Sequence, residues 1–224
     1  MQIISWNMNK RKAGCWEWLF ENHSPDIVMA QEASPLPNGL TAISRTTTKK
    51  SNRTVTYSKD ESHERVKMEY DEGMGILVSR VSAIYFINVY ANLDFEPVDP
   101  PLLGYIAKFV AHLRRRYGAK NILISGDFNM DRRMDDNPTG TRFALKDTYP
   151  TNDFFDAILD MGFLDCVGKF YPEPVQTHRN NKSKFPWEID HMFATPMLFE
   201  SLSSLDIPNT LELSDHNPII ANFS

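Results

Sequence analysis

Cysteine is scarce in this chain. Cys15 and Cys166, the two present in 224 residues, make neither a disulfide framework nor a zinc-binding motif, although the sequence leaves one bridge between them open. No apolar run approaches the length of a membrane span, so we expect no membrane-embedded segment. An excess of positive charge is missing too. The 24 Lys and Arg face 29 Asp and Glu, a net charge of −5, which excludes a uniformly cationic surface and leaves room for a local basic face. The opening MQIISWNMNK lacks a basic leader with a long apolar stretch, and from this we expect a cytoplasmic protein. Repeats, low-complexity tracts and obvious linkers are absent.

What is there looks globular. Hydrophobic residues make up 42% and charged residues 24%, ordinary values for a packed domain, and we expect one domain over residues 1–224. Periodicity predicts strands at 2–8 and over IVMAQ, with a helix from Lys12 to His23 between them. Short strands are expected around 42–46, 54–58 and 64–70. GMGILVSR and SAIYFINVYAN read as strands joined by a turn near Arg80–Ser82. Leu103, Ile106, Phe109, Val110 and Leu113 form one helical face in the segment that follows. ILISGD is a strand. TNDFFDAILDMGF is a helix capped by Thr151 or Asn152 and stopped at Gly162. Late strands are expected at 189–194, 198–205 and 218–223. Such mixing predicts an α/β protein with sheet packed on sheet and helices outside.

Polar groups recur where these strands end. Asn7 closes the first and Glu32 follows the second. FINVYAN ends on Tyr90 and Asn92, and SGDFN on Asp127 and Asn129. EIDH carries Asp190 and His191, and SDHNP carries Asp215 and His216. Any one of these can be a turn or a cap, since Gly, Asp and Asn serve turns everywhere. Together they suggest one shared site at one edge of the sheets.

In this order, SWN, QE, GDFN, IDH and SDHNP resemble the endonuclease/exonuclease/phosphatase superfamily, which includes deoxyribonuclease I, exonuclease III and abasic-site endonucleases. The resemblance runs from Asn7 to Pro218. It implies a four-layered α/β sandwich, two packed mixed β-sheets flanked by helices, and metal-dependent hydrolysis of phosphoesters. It further implies Glu32 at the metal with Asn7 beside it and Asp215 nearby. Asp127 and Asn129 would serve the attacking water and the phosphate, Tyr90 would contact the phosphate, and Asp190 would orient His216.

Elementary electrostatics points the same way. Glu32, Asp127, Asp190 and Asp215 gathered together would raise one another's pKa unless a cation held them ionised. Oxygen donors without clustered thiolates favour Mg2+, with Mn2+ or calcium as further options, over zinc. Hydrolysis of an anionic diester needs an oriented water, neutralised non-bridging oxygens and help for the leaving alkoxide. Whether His216 acts as base, acid or electrostatic clamp stays open on the sequence. His191, adjacent to Asp190 on a strand, should point to the opposite face and is expected to be structural.

Substrate contacts are expected from Asn92, His178, Arg179, Lys182, Lys184 and Trp187, a mixture of cations and aromatics suited to a single strand. The preferred reading is a nuclease acting on DNA or RNA, with no obligatory protein partner. A hydrolase of small phosphoesters and a catalytically silent binding protein are the alternatives. YAN is one residue shorter than the tyrosine-to-asparagine spacing of abasic-site nucleases. The tryptophan–aspartate–arginine pattern of inositol phosphatases is not met, which argues against a phosphoinositide substrate.

Overall fold

The structure, a computed structural model, describes residues 1–9, 13–45, 54–60, 62–68, 75–91, 102–136, 151–179 and 185–224. In chain order the elements are β1 (Gln2–Asn7), α1 (Ala13–Asn22), β2 (Ile27–Gln31), β3 (Ala42–Arg45), β4 (Thr54–Ser58), β5 (His63–Arg65), β6 (Ile76–Val81) and β7 (Ile84–Tyr90). They continue with α2 (Leu102–Tyr117), β8 (Asn121–Asp127), a 3₁₀ turn (Arg132–Met134), α3 (Thr151–Asp160) and β9 (Leu164–Asp165). The last are β10 (Asp190–Ala194), α4 (Pro196–Ser201), β11 (Leu202–Asp206) and β12 (Ile219–Phe223).

Among the described residues the strands form two six-stranded mixed sheets, ordered β11-β12-β1-β2-β4-β3 and β5-β6-β7-β8-β10-β9. At the centre of each lies a parallel pair, β1 with β2 and β7 with β8, and the other pairings are antiparallel. Alternation along the strands assigns each residue a layer. Ile4, Trp6, Val28 and Ala30 pack outward against Cys15, Trp16 and Leu19 of α1. Ile122, Ile124, Ile87 and Val89 pack outward against α2 and α3. Ile3, Met29, Phe86, Leu123, Met192 and Ala221 fill the space between the sheets. Helix, sheet, sheet, helix is the expected four-layered order.

Three local expectations change. The run 198–205 divides into α4 and β11, with Pro196 starting the helix, because its fixed φ suits a first helical position. The strand expected at 64–70 shrinks to His63–Arg65, and residues 69 and 70 lie outside the described residues. The cap of α3 comes from neither Thr151 nor Asn152. Both donate their backbone N–H groups to the Asp135 carboxylate, at 2.8 and 2.9 Å, where a negative charge also complements the helix dipole. Cys15 and Cys166 are both buried, and no disulfide joins them.

Candidate active site

The inner faces of both sheets turn from apolar to polar in one direction. Along β8 the inward residues run Leu123, Ser125, Asp127, and along β1 they run Ile3, Ser5, Asn7. On β2 the series is Ile27, Met29, Gln31 and on β7 Phe86, Asn88, Tyr90. β10, antiparallel to β8, begins on Asp190 and proceeds to Met192 and Ala194. Register places Asp127 between Tyr90 on β7 and Asp190 on β10. In the other sheet Asn7 pairs with Gln31, one residue before Glu32. A buried amide pair ties the sheets together just beneath, with Gln31 Nε2 donating to Asn88 Oδ1 at 2.7 Å.

Gly126 explains why β8 reaches this edge intact. Its φ is +145°, and a Cβ there would meet the Val89 carbonyl oxygen at 1.9 Å, so only glycine fits. Asp127 and Asn129 share a side through a turn rather than through extended alternation. Asn129 has φ +52°, and its N–H donates to Asp127 Oδ1 at 2.8 Å. The Asx turn and the candidate site are the same structure. Phe128 between them is buried in the outer core.

Asp127 and Asp190 are 1% and 2% exposed. Asp127 Oδ2 accepts from Asn7 Nδ2 at 2.8 Å and from Asn129 Nδ2 at 3.3 Å. Asn7 Oδ1 accepts from the Asn9 N–H, so each end of that amide makes a hydrogen bond. Asp190 Oδ2 lies 2.8 Å from His216 Nδ1, while His216 Nε2 stands 4.0 Å from Asp127 Oδ2. The histidine is fixed through its backbone as well. Its carbonyl accepts from Trp6 Nε1 at 2.9 Å, and its N–H donates to Ser214 Oγ, which itself donates to the Asn7 carbonyl. Thr177 Oγ1 accepts from the N–H groups of Ile189 and Asp190. Thr177, Ser214 and Trp6 are supports that the strand-end pattern did not single out, although Ser214 and Trp6 lie inside SDH and SWN.

Burial pushes the Asp127 carboxyl up, the charge of His216 pulls it back and that of Asp190 pushes it up again, leaving it at about 7. Burial pulls His216 down. The Asp190 carboxylate, through charge and hydrogen bond, and then Asp127 and Asp215 outweigh it and raise the imidazole to about 10. Burial also pushes Asp215 up, but His178 and His216 hold it below the ordinary carboxylate value.

Two sets of side chains bring potential ligand atoms within 4.8 Å of one another: Asp127 with Asp190 and His216, and His178 with Asp215 and His216. Asp190 Oδ1 is buried without a hydrogen-bond partner among the described residues, an acceptor oxygen short of one contact. Mostly oxygen donors of this kind suit a hard divalent cation. Glu32 belongs to neither set. Its carboxylate accepts from the Tyr90 hydroxyl at 2.7 Å, and it adopts φ +46°, an uncommon backbone for glutamate of the sort found at functional sites.

At the rim, His178 Nε2 lies 3.8 Å from Asp215 Oδ2, and its ring packs 4.6 Å from that of His216. Arg179 is exposed, with its N–H bonded to the Asp215 carbonyl. Trp187 corrects an expectation. It is 6% exposed and lies under the Arg133 guanidinium, so it has no open face for a base. Its carbonyl accepts from both Thr177 and His178 N–H. Asn92, Lys182 and Lys184 lie outside the described residues. His191 points away from the site, bonded to the Met130 carbonyl and surrounded by Phe128, Phe155 and Phe193.

In fold the chain is similar to a 3'-5' exonuclease (NExo) from Neisseria meningitidis, at 22% identity and a TM-score of 0.75 over 100% of both chains. It is similar to an AP endonuclease from Archaeoglobus fulgidus, at 20% identity and 0.74 over 100% of this chain and 99% of that one. The endonuclease domain of TRAS1, a telomere-specific non-LTR retrotransposon, gives 17% identity and 0.71 over 99% and 97%. No curated protein matches. The model of the Endonuclease/Exonuclease/phosphatase family matches residues 4–216, a span that holds SWN, QE, GDFN and IDH and ends on His216 within SDHNP. Members of that family hydrolyse phosphoesters with a divalent metal. The chain therefore belongs to the Endonuclease/Exonuclease/phosphatase family and is a metal-dependent phosphoester hydrolase.

Proposed function

We propose that this protein, a single domain over residues 1–224, is a nuclease that hydrolyses phosphodiesters of DNA with Mg2+ as its cation. One observation carries the reading. Asp127 Oδ2 and His216 Nε2 face each other at 4.0 Å, too far for a direct bond and close enough for both to engage one water or one phosphate oxygen between them. Asp127, near pKa 7, suits a proton acceptor working at neutral pH. His216, protonated against Asp190, suits a cation that hydrogen-bonds a non-bridging oxygen.

In the proposed reaction the water oxygen attacks phosphorus in line and its proton passes to the Asp127 carboxylate. The bond from phosphorus to the leaving sugar oxygen breaks, and that oxygen takes its proton from solvent. Glu32 and Asp215 are the residues that would hold the cation, which would supply charge neutralisation at the phosphate. Asn7 and Asn129 keep Asp127 aimed through the bonds they donate to it, and Tyr90 orients Glu32. Asn7 Oδ1 accepts one bond, from the Asn9 N–H, and keeps a second lone pair for a place beside the cation. His178 and Arg179 form the described part of the substrate rim. DNA is favoured because a protein of similar fold, the 3' phosphatase NExo from Neisseria, is bound to a product DNA hairpin.

The test is an activity panel of single- and double-stranded DNA and RNA oligonucleotides and small phosphoesters, run with Mg2+, with Mn2+ and with chelator. We expect cutting of DNA that chelation abolishes and Mg2+ restores. Hydrolysis of small esters alone would overturn the nuclease reading, and turnover that survives thorough chelation would remove the cation from the reaction.

A further inference from the structure

Two amides lie buried between the sheets directly below the candidate active site. Gln31 and Asn88 are both 0% exposed. Gln31 Nε2 donates to the Met29 carbonyl at 3.0 Å and to Asn88 Oδ1 at 2.7 Å. Asn88 Nδ2 donates in turn to the Val55 carbonyl at 3.0 Å, and it reaches Thr56 Oγ1 at 3.3 Å and the Ala30 carbonyl at 3.4 Å. One side chain of β7 thus joins its own sheet to β2 and β4 of the other. The plain reading is a cross-link that stabilises the sandwich. Stability alone does not call for amides there, because apolar side chains of similar volume join sheets as well and leave no polar group to satisfy. What a hydrogen bond adds to packing is a fixed distance and direction.

We propose that the Gln31–Asn88 pair is a positioning device that sets Glu32 in place for the cation, resting on the reading above that Glu32 is one of the residues to hold it. Position supports it. Gln31 is the last residue of β2, and Glu32 follows it with φ +46°, a left-handed backbone that glutamate keeps only where its surroundings hold it there. Gln31 is anchored twice, since its carbonyl accepts from the Met8 N–H at 2.8 Å and its side chain is tied to Asn88. Asn88 lies two residues before Tyr90 and on the same face of β7. The Tyr90 hydroxyl donates to Glu32 at 2.7 Å. Two successive bonds therefore cross between the sheets, Gln31 to Asn88 and Tyr90 to Glu32, and the backbones of β2 and β7 close them into a ring. Tyr90 is held from behind as well. The Gly75 carbonyl accepts both the Tyr90 N–H at 2.9 Å and the Thr54 hydroxyl at 3.1 Å. A shift of one sheet against the other at the buried amides is passed through this ring to the Glu32 carboxylate.

The test is Mn2+ binding, read from the electron paramagnetic resonance signal of the free ion, on proteins that far-ultraviolet circular dichroism shows to be folded. Gln31→Met and Asn88→Leu should each weaken Mn2+ binding on the order of ten-fold, the effect of removing groups that stand behind a metal ligand. The double variant should bind no more weakly than either single one, because the two side chains act through one bond. Leu123→Ala, which loosens the core between the same sheets, should leave the affinity unchanged. Gln31→Met nearly keeps the shape of the side chain and carries the test by itself where Asn88→Leu does not fold. Unchanged affinity in Gln31→Met, additive losses in the double variant, or an equal loss in Leu123→Ala would each overturn the proposal. Glu32→Gln separates its failure from that of the reading beneath it. Affinity lost in Glu32→Gln and kept in Gln31→Met would leave Glu32 at the cation and sink the positioning device. Full affinity in Glu32→Gln, or a wild-type protein that takes up no Mn2+, would sink the place of Glu32 at the cation, and the device with it.

Discussion

The space between the two sheets has two ends built on the same strands. At one end Ile3, Leu123, Met192, Ala194 and Ala221 pack as an apolar core. At the other, the same inward positions carry Asn7, Asp127 and Asp190, equally buried. The apolar end needs only complementary shape, because dispersion and water exclusion have no direction. The polar end needs partners for each group. Asp127 receives bonds from Asn7 and Asn129, and Asp190 is held against His216. One end can tolerate exchange of volume for volume, and the other cannot tolerate loss of a single partner without stranding a charge.

That contrast predicts opposite phenotypes. The largest effect belongs to the polar end: Asp127→Ala and His216→Ala should each lower kcat by roughly 10²–10⁴ or more, with far-ultraviolet circular dichroism close to wild type. Retention of most of the turnover by either variant would show that the roles are misassigned. Next comes the apolar end. Leu123→Ala leaves a cavity beneath the same strand and should cost about 2–5 kcal/mol of stability, seen as a lowered midpoint in urea, while kcat of the folded protein stays near wild type. If catalysis fell as steeply as stability, the two ends would not be separable.

The smallest effect is on pH dependence in chelator. The Asp127 carboxyl is raised from 3.8 to about 7, so the folded state holds this proton more tightly than the unfolded chain. Its contribution to stability is complete below pH 3.8 and is lost as pH rises through 7. His216, raised from 6.5 to about 10, contributes stability that is complete below 6.5 and is lost as pH rises through 10. Asp127→Asn removes the first of these losses. The Tm of that variant should gain on wild type by roughly 2–4 °C or more between pH 4 and pH 7, and added Mg2+ should narrow the gap. A difference that stays flat across this range would mean that burial does not hold the Asp127 proton.

Much of this was legible along the chain. The apolar runs ILISGD and FINVY marked two strands, and the helix over 102–117 buried Ile106, Phe109, Val110 and Leu113 as its spacing required. GDFN announced both a turn and a carboxylate, and it is both. The rim was less readable. Trp187 lies in a cationic, aromatic segment that looks like a contact surface, and its burial depends on Arg133, 54 positions earlier in the chain. The cap of α3 failed for the same reason, since Asp135 reaches it from 16 residues away.

Taken alone, the order of residues determined most of the elements and which strand ends carry acid, amide or imidazole, because these follow from local polarity and backbone preference. Only the tertiary structure decided that Asn7 donates to Asp127, that Asp190 takes Nδ1 of His216 and that Trp187 turns inward. Those outcomes hang on contacts of a few ångströms between distant segments, and packing of the whole chain sets such distances.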